Sequence, residues 1–361
     1  MISKLKTQNA PEGSIPAGGA AQEATAGGIQ ALRRVVVLGA GAVGSLLAGK
    51  LATQMPVALI GRRHQLEAIR ARGLKLEGLS NTAVSPGARL VLAGAPSELA
   101  PGLGAGDAVL LAVKAAQAEE AARELDSALA QAPAHERLPL FALQNGTGYE
   151  KGLRAALSRR WELLHAVVHV GATLVVPGRV EDWGGEVLLP DVPAGEALRL
   201  ALLQAGIAAR TVPDLETRRW EKIAFNCALN ALSALLEVRN RETLVEELRP
   251  VRRGILQEVR QVARTSGIAL PDEERLLTEF ERRAGASNNV NSMLQDLRQG
   301  RPTECPFLNA AIAQLARDRG AEARLNAFLA DRIAQLERAR DEAQRRAIRS
   351  EARATLAAFR F

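Results

Sequence analysis

A short apolar run that breaks into three spaced glycines leaves this chain few folds to choose from. From Arg34 the sequence reads RRVVVLGAGAVGSLLAGKLATQMPVALIGRR. Val35 to Leu38 has the length and β-branched content of a buried strand, and an Ala/Leu-rich stretch of helical character begins just behind it. Between them lies Gly39-Ala40-Gly41-Ala42-Val43-Gly44. In that context Gly39 permits a tight turn, Gly41 lets the backbone approach a pyrophosphate, and Gly44 lets helix and strand pack closely. The helix N-terminus adds free N–H groups and the positive end of its dipole. A second strand over Val57–Ile60, stopped by Gly61, and a helix over His64–Arg72 close one βαβ unit. The bland alternative is a glycine-rich turn in an α/β domain that binds nothing.

The alternation continues. DAVLLAVKAAQAEEAARELDSAL predicts a strand over Ala108–Val113 and a helix from near Lys114; PLFALQNGTGYEKGLRAAL predicts a strand over Leu140–Leu143, a Gln144-Asn145-Gly146 turn and another helix. Such spacing argues for a mostly parallel, doubly wound sheet. From His165 to Leu189 two or three antiparallel strands are expected. After about Pro213 only helical patterns follow. The expected organisation is a disordered Gly/Ala/Pro/Ser-rich leader over 1–32, a Rossmann-type α/β domain over 33–213, an all-helical domain over 214–338 and a basic helical extension over 339–361.

In an open α/β sheet, ligands bind at the carboxyl ends of the strands. Lys114 and Gln117 stand at one such end and Asn145 at the next. Lys114 also suits a solvated first turn. An NAD-preferring domain carries an acid at the end of the second strand to meet the ribose. Here Gly61-Arg62-Arg63 stands there instead, and a guanidinium pairs a 2′-phosphate through charge-assisted bonds. NADP(H) is therefore the expected cofactor, with Arg62 the partner and Arg63 a helper or an exposed helix-start residue.

Composition excludes several classes. With 361 residues, 47% of them apolar, the chain can bury two cores, yet no run of 18 apolar residues exists to span a membrane. The N-terminus lacks the apolar core of a secretory signal. Cys227 and Cys305 are too few for a disulfide scaffold, which points to a reducing cytoplasm. His165 and His169 would share a strand face but lack a third ligand, so no metal is expected. Much of the net charge of +7 lies in the tail after Glu337. With few aromatics and no nucleic-acid motif, that run reads as a solvated helix.

Two polar clusters remain. WEKIAFNCALNALSALL places Lys222, Asn226 and Asn230 four residues apart, on one face of an otherwise apolar helix. Buried polar groups without partners are costly. Either the asparagines line a helix contact while Lys222 snorkels to water, or a ligand faces the ladder. The expected boundary near Val212-Pro213-Asp214 sets the ladder beside an interdomain cleft. The second cluster, NNVNSMLQDLRQGRPTECPFLNAAI, crowds Ser292, Gln295, Asp296, Arg298 and Glu304 into one segment. Thr303 and Glu304 also suit the cap and first turn of a new helix.

In order and spacing, these segments resemble the ketopantoate reductase (2-dehydropantoate 2-reductase) family from about Arg34 to Glu337. The carrying residues are the GAGAVG turn, Lys114-Ala115-Ala116-Gln117, Gln144-Asn145-Gly146-Thr147-Gly148 and Trp220-Glu221-Lys222 with Asn226 and Asn230. Asn240, Ser292-Met293-Leu294-Gln295-Asp296 and Pro302-Thr303-Glu304 complete the set. The resemblance implies a helical second domain like the C-terminal domain of 6-phosphogluconate dehydrogenase, and NADPH-dependent reduction of 2-dehydropantoate to (R)-pantoate on the way to pantothenate and coenzyme A. It implies that Lys222 is the general acid, that Asn226, Asn230, Asn240 and Ser292 bind substrate, and that Glu304 assists substrate binding and catalysis beside the cofactor. Asn145 corresponds to an asparagine that meets both cofactor and substrate. Lys114 and Gln117 fall on the cofactor side, Lys114 also towards the substrate. A small 2-oxo acid is then the implied partner, with no nucleic acid or membrane, for a monomer or homodimer. The stretch Gly320-Ala321-Glu322-Ala323-Arg324-Leu325-Asn326 lacks the proline common in the family. Another branched 2-oxo acid as substrate, or a silent NADP(H)-binding protein, are the alternatives; the intact polar set argues against silence.

Overall fold

The computed structural model describes residues 31–99, 102–129 and 137–359, so all but the last two residues of the expected leader lie outside the described residues. The strands are β1 (Arg34–Leu38), β2 (Val57–Ile60), β3 (Leu74–Gly78), β4 (Thr82–Val84), β5 (Leu90–Ala93), β6 (Asp107–Leu111), β7 (Leu138–Ala142), β8 (Trp161–His165), β9 (Val167–Val168), β10 (Gly171–Val176), β11 (Arg179–Gly184), β12 (Glu186–Pro190) and β13 (Ala208–Val212). Among them run α1 (Ala42–Leu51), α2 (Arg63–Arg72), α3 (Ala118–Leu129), α4 (Glu150–Ala156) and α5 (Pro193–Gln204). After Val212 the elements are helical: α6 (Leu215–Leu236), α7 (Arg249–Thr265), α8 (Glu273–Gly285), α9 (Ser292–Arg298), α10 (Asn309–Arg317), α11 (Arg324–Arg338) and α12 (Glu342–Ala358), with short 3-10 turns between some of them.

The central sheet has the order β5-β2-β1-β6-β7-β8 and is parallel throughout. The chain runs outwards from β1 to β2 and later returns to β6 on the other side of β1, so the topological switch point lies between β1 and β6. Its strands are buried on both faces. Val35, Val37, Leu59 and Leu110 join one core with Leu46, Leu47 and Leu51 of α1, while Val36, Leu38, Ile60 and Leu111 join a second with Ala118, Ala122 and Leu125 of α3. Period-2 alternation into two apolar layers is why these runs read as continuous hydrophobic stretches.

Three expectations need correction. β6 stops at Leu111, and Lys114 is extended (φ −63°, ψ 152°), so a 3-10 turn over Ala115–Gln117 precedes α3 and no α-helix begins at Lys114. The His165–Leu189 region holds more than an antiparallel pair. β10 and β11 are antiparallel, but β11 runs parallel to β3 in a four-stranded sheet, and β12 runs parallel to β13 and antiparallel to β9 in a three-stranded one. Those partners lie far off in sequence, where local pattern carries no information about them. The basic tail is not simply a solvated helix. Ile348, Ala352 and Leu356 of α12 are buried in the helical core, Arg353 donates to the Leu236 carbonyl at 2.8 Å and Arg349 pairs with Glu237 at 2.8 Å. Two guanidinium groups thus meet the negative end of α6, where Glu237 takes a left-handed conformation (φ 59°).

The helical half is built around α6, whose Ile223, Ala224, Cys227, Ala228, Ala231, Leu232 and Leu235 are buried. A polar chain ties four helices together inside this apolar core. Asn309 donates its amide to the Cys227 carbonyl and to Asn326 Oδ1, each at 3.0 Å. Asn326 donates to Glu258 at 2.7 Å, and Glu258 also accepts the Leu325 and Asn326 backbone N–H groups at 2.8 and 2.9 Å. The α7 carboxylate therefore caps the first turn of α11. Glu258→Ala should leave these donors unpaired and lower stability by about 2–4 kcal/mol; chemical denaturation followed by far-UV circular dichroism should show the earlier midpoint.

Candidate active site

The glycine turn after β1 has the geometry its spacing demands. Gly39 lies at φ +122°, and a Cβ there would come within 2.7 Å of the Ala112 carbonyl carbon. A Cβ on Gly44 would sit 1.9 Å from the Gly39 oxygen, whereas Gly41 has nothing within 4 Å of that position. Two glycines are thus needed for packing, and the third leaves open space in front of the N-terminus of α1. That helix has no side-chain cap, so its first N–H groups are available to an anion. Ala40 abuts Gly61 at the end of β2, where a Cβ would come within 2.3 Å of the alanine methyl. Arg62 follows, exposed and with no ion pair among the described residues, while Arg63 is held by Glu67 at 2.7 Å. Open backbone, an uncapped helix end and a free guanidinium fit a phosphorylated dinucleotide.

Gln144 fastens the loops after β6 and β7, donating to the Leu111 and Val113 carbonyls at 2.8 and 2.9 Å. Beside it the sheet edge meets the helical half. Gly146, at φ +85°, lies so close to the 3-10 turn Cys305–Phe307 that a Cβ would be 1.9 Å from the Phe307 oxygen. Thr147 N–H donates to that oxygen at 2.8 Å. This contact sets Asn145 against Glu304, with Asn145 Nδ2 donating to Glu304 Oε2 at 3.0 Å. Lys114 crosses the same junction to Asp296 at 2.8 Å and to the Pro302 carbonyl at 3.0 Å. Gln117 is exposed, and its side chain makes no hydrogen bond among the described residues.

On α6 the ladder divides. Lys222 is partly buried and donates to the Val168 carbonyl at 2.5 Å. Burial lowers its pKa to about 8; the Glu304 carboxylate opposes the shift and the Arg283 guanidinium adds to it. Glu304 thus acts on both Asn145 and Lys222. Asn226 and Asn230 are 9% and 7% exposed, yet neither amide has a hydrogen-bond partner among the described residues. Asn240, opening a 3-10 turn, donates to Ser287 at 2.9 Å and accepts from Asn291 at 3.1 Å. Asn291 in turn caps α9, accepting the Leu294 N–H at 3.1 Å, and Ser292 opens that helix with an exposed side chain. Lys222, Glu304 and Asn145 are therefore linked by direct bonds or charge; Asn226 and Asn230 extend along the same helix face, and Asn240 and Ser292 are coupled through Asn291.

Two nearby residues carry no recognisable sequence signal. Arg283, in the last turn of α8, places its guanidinium 4.5 Å above the Phe225 ring and 3.2 Å from His169 Nδ1. Burial, with Lys222 and Arg283 adding to it, lowers the His169 pKa to about 3, so the ring is neutral at physiological pH. His165 does not share a strand with His169 as expected: it ends β8 and contacts Tyr149 at 3.4 Å. On another flank of α6, Glu150, Arg219 and Trp220 help line a cavity of about 380 Å³ that shares no residue with the ladder. Among the described residues no helix is long and apolar enough to cross a membrane.

Comparison with known proteins identifies relatives of the same fold. The family described as Ketopantoate reductase PanE/ApbA matches residues 35–189, and its C-terminal counterpart matches residues 214–337. A 2-dehydropantoate 2-reductase from Pyrococcus horikoshii is 30% identical over 307 residues, covering 82% of this chain and 95% of the relative. A crystal structure of a PanE/ApbA family ketopantoate reductase from Ralstonia eutropha JMP134 superposes with a TM-score of 0.75 at 30% identity, covering 84% of this chain and 98% of that one. A D-mandelate dehydrogenase solved with NADH and anilino(oxo)acetate shares the fold at 23% identity and a TM-score of 0.71, covering 87% of this chain and 99% of that one.

The electrostatics of Lys222 can be checked without any substrate. Glu304→Gln removes the charge that holds its pKa up, so the lysine should titrate below its value of about 8 in the intact protein. The pH dependence of amine labelling at Lys222, read by mass spectrometry, should show the downward shift; an unchanged or higher pKa would contradict the coupling.

Proposed function

The chain belongs to the ketopantoate reductase family, and on that premise we propose that it reduces 2-dehydropantoate to (R)-pantoate with NADPH, a step towards pantothenate and coenzyme A, with Lys222 as the general acid. It is an oxidoreductase built as a Rossmann-type α/β unit followed by a helical one. The observation that supports the proposal is that the Glu304 carboxylate acts on the Lys222 ammonium, on the helix that also carries Asn226 and Asn230, whose buried amides have no hydrogen-bond partner among the described residues. We assign 33–213 to cofactor binding, 214–338 to the substrate and 339–361 to bracing of α6.

The GAGAVG turn, from Gly39 through Ala40, Gly41, Ala42 and Val43 to Gly44, would hold the pyrophosphate on the N-terminus of α1. Arg62, free where Arg63 is engaged by Glu67, would pair the 2′-phosphate. Bound NADPH supplies the hydride. As negative charge grows on the ketone oxygen, the Lys222 ammonium stabilises it and delivers the proton. A pKa of about 8 keeps much of the lysine protonated at neutral pH while making it a better donor than a solvated lysine. Glu304 steadies that proton and holds Asn145 by a single N–H, leaving the rest of the Asn145 amide for cofactor and substrate. Asn226 and Asn230 would bond the substrate hydroxyl and carboxylate, with Ser292 donating as well. Asn240 keeps one amide hydrogen beyond the one it gives Ser287. Lys114, with two of its donors committed to Asp296 and Pro302, retains a third for the cofactor side, next to Gln117. Neither nucleic acid nor membrane enters this scheme; the protein works in the cytoplasm on a small 2-oxo acid, as a monomer or homodimer.

NADPH oxidation by the purified protein with ketopantoate and a panel of 2-oxo acids tests the reading. Turnover of ketopantoate is expected; turnover of another branched 2-oxo acid alone would replace the substrate, and none at all would refute the reductase. Lys222→Ala should lower kcat by roughly 10²-fold or more, and kcat/KM of the intact enzyme should fall as pH rises through about 8, where the ammonium is lost. Arg62→Ala should raise the Kd for NADPH by about 10-fold or more and leave that for NADH nearly unchanged, since only the former carries the phosphate; equal effects on both would exclude Arg62 from that role.

A further inference from the structure

We propose that Arg283 grips the carboxylate of the 2-oxo acid, so that the substrate spans from Lys222 at its keto oxygen to a guanidinium held by His169 and Phe225. The inference rests on the reductase reading and adds to it a residue that none of the sequence motifs contains.

It starts from a missing counterion. The chain pairs its buried guanidinium groups with carboxylates: Arg219 with Glu150 and Glu216, Arg252 with Glu281, Arg349 with Glu237. Arg283 is half-buried, and burial lowers its pKa, yet no carboxylate lies within ion-pair distance among the described residues. The acids closest in electrostatic reach, Glu279, Glu221 and Glu186, are all taken. Glu279 holds Arg282 at 2.7 Å, Glu221 holds Arg218 at 3.2 Å, and Glu186 holds Arg210 at 3.0 Å. A cation moved out of water without a counterion is costly, so its retention here points to an anion supplied from outside.

The guanidinium is also aimed and stiffened. Arginine can only donate, so His169 must accept at Nδ1 and carry its own hydrogen on Nε2. The neutral ring is then a brace that spends one of five N–H donors. Phe225 holds the plane from below, and Phe280 in turn packs against Phe225 at 5.4 Å. This leaves a preorganised fork, the geometry that binds a carboxylate through two parallel hydrogen bonds. The location suits a 2-oxo acid. His169 directly follows Val168, whose carbonyl receives the Lys222 ammonium, and Arg283 stands close enough to depress the pKa of Lys222. The ketone and carboxylate of such a substrate are on adjacent carbons, so one cation for each must sit side by side. A lysine for the oxygen that becomes charged and an arginine for the charge already present divide the work.

The test compares an acid with its uncharged twin. Wild type, Arg283→Gln and Arg283→Met, the last keeping an apolar stem over Phe225, would be assayed for turnover of a 2-oxo acid and of the corresponding 2-oxo amide, with NADPH affinity measured alongside. The expected result is a KM for the acid raised about 10²-fold, a KM for the amide changed little, and an unaltered Kd for NADPH. Equal losses on acid and amide, or an acid KM unchanged in the variants, would overturn the assignment while leaving the reductase reading intact. If wild type turns over no 2-oxo acid, the reading itself fails, and calorimetric binding of oxamate still decides on Arg283: binding lost in both variants supports the carboxylate grip, and binding retained or absent throughout removes it.

Discussion

Everything proposed for the cleft depends on one close approach of backbone to backbone. Gly146 can sit against the Phe307 carbonyl only because it has no Cβ and tolerates a positive φ. The Thr147 N–H then closes on the same oxygen, and Tyr149 packs edge-on against the Phe307 ring at 6.4 Å. Ion pairs cross the junction as well, from Lys114 to Asp296 and from Arg219 to Glu150. The Lys114 side chain is 44% exposed, however, and such a pair contributes about 1 kcal/mol or less. The Arg219–Glu150 pair is more enclosed, at 8% and 21% side-chain exposure, so shape sets how the sheet edge meets the helical half and this one pair fastens it. Asn145 and Glu304, 159 residues apart in sequence, become neighbours as a consequence.

That junction also decides the electrostatics. Lys222 sits where desolvation lowers its pKa, with a carboxylate and a guanidinium acting on it in opposite senses. Neither charge is on α6. Glu304 comes from the turn that Gly146 positions, and Arg283 from the end of α8. The acidity of one lysine is therefore set by tertiary structure, and any motion that separates the two halves takes the Val168 carbonyl from Lys222 and Asn145 from Glu304.

The sequence was legible where chemistry is local. The GAGAVG turn, both flanking strands and the guanidinium at the end of β2 follow from steric and charge rules that act within a few residues. The parallel sheet and the helical second half were legible for the same reason, as runs of one period replaced by another. What escaped was pairing at a distance. Nothing in LKLEG announces that β3 will lie beside β11, and the short, half-exposed β4 lacks the apolar alternation that marks a strand. The tail looked solvated because its arginines outnumber its acids, but burial at every fourth position, Ile348, Ala352 and Leu356, counts for more than charge. Arg283 escaped because Arg282 beside it looks identical in sequence, and only the fold gives one to Glu279 and the other to His169.

The asparagines of the helical half show how structure separates two meanings of one residue type. Asn309 and Asn326 are fully buried; the Asn309 amide nitrogen donates to the Cys227 carbonyl and to Asn326 Oδ1, and the Asn326 amide nitrogen to the Ile255 carbonyl and to Glu258. They hold helices together, and the core closes over them. Asn226 and Asn230 lie on the same central helix, almost as deep, and have no partner among the described residues. If their purpose were packing, alanine or leucine would serve without the cost of desolvating an amide. They stay 9% and 7% exposed, whereas Asn309 and Asn326 are closed off altogether. On the proposed reading, the ladder meets an occupant that brings its own donors and acceptors, and the neighbouring cations, Lys222 and Arg283, favour one that brings negative charge as well.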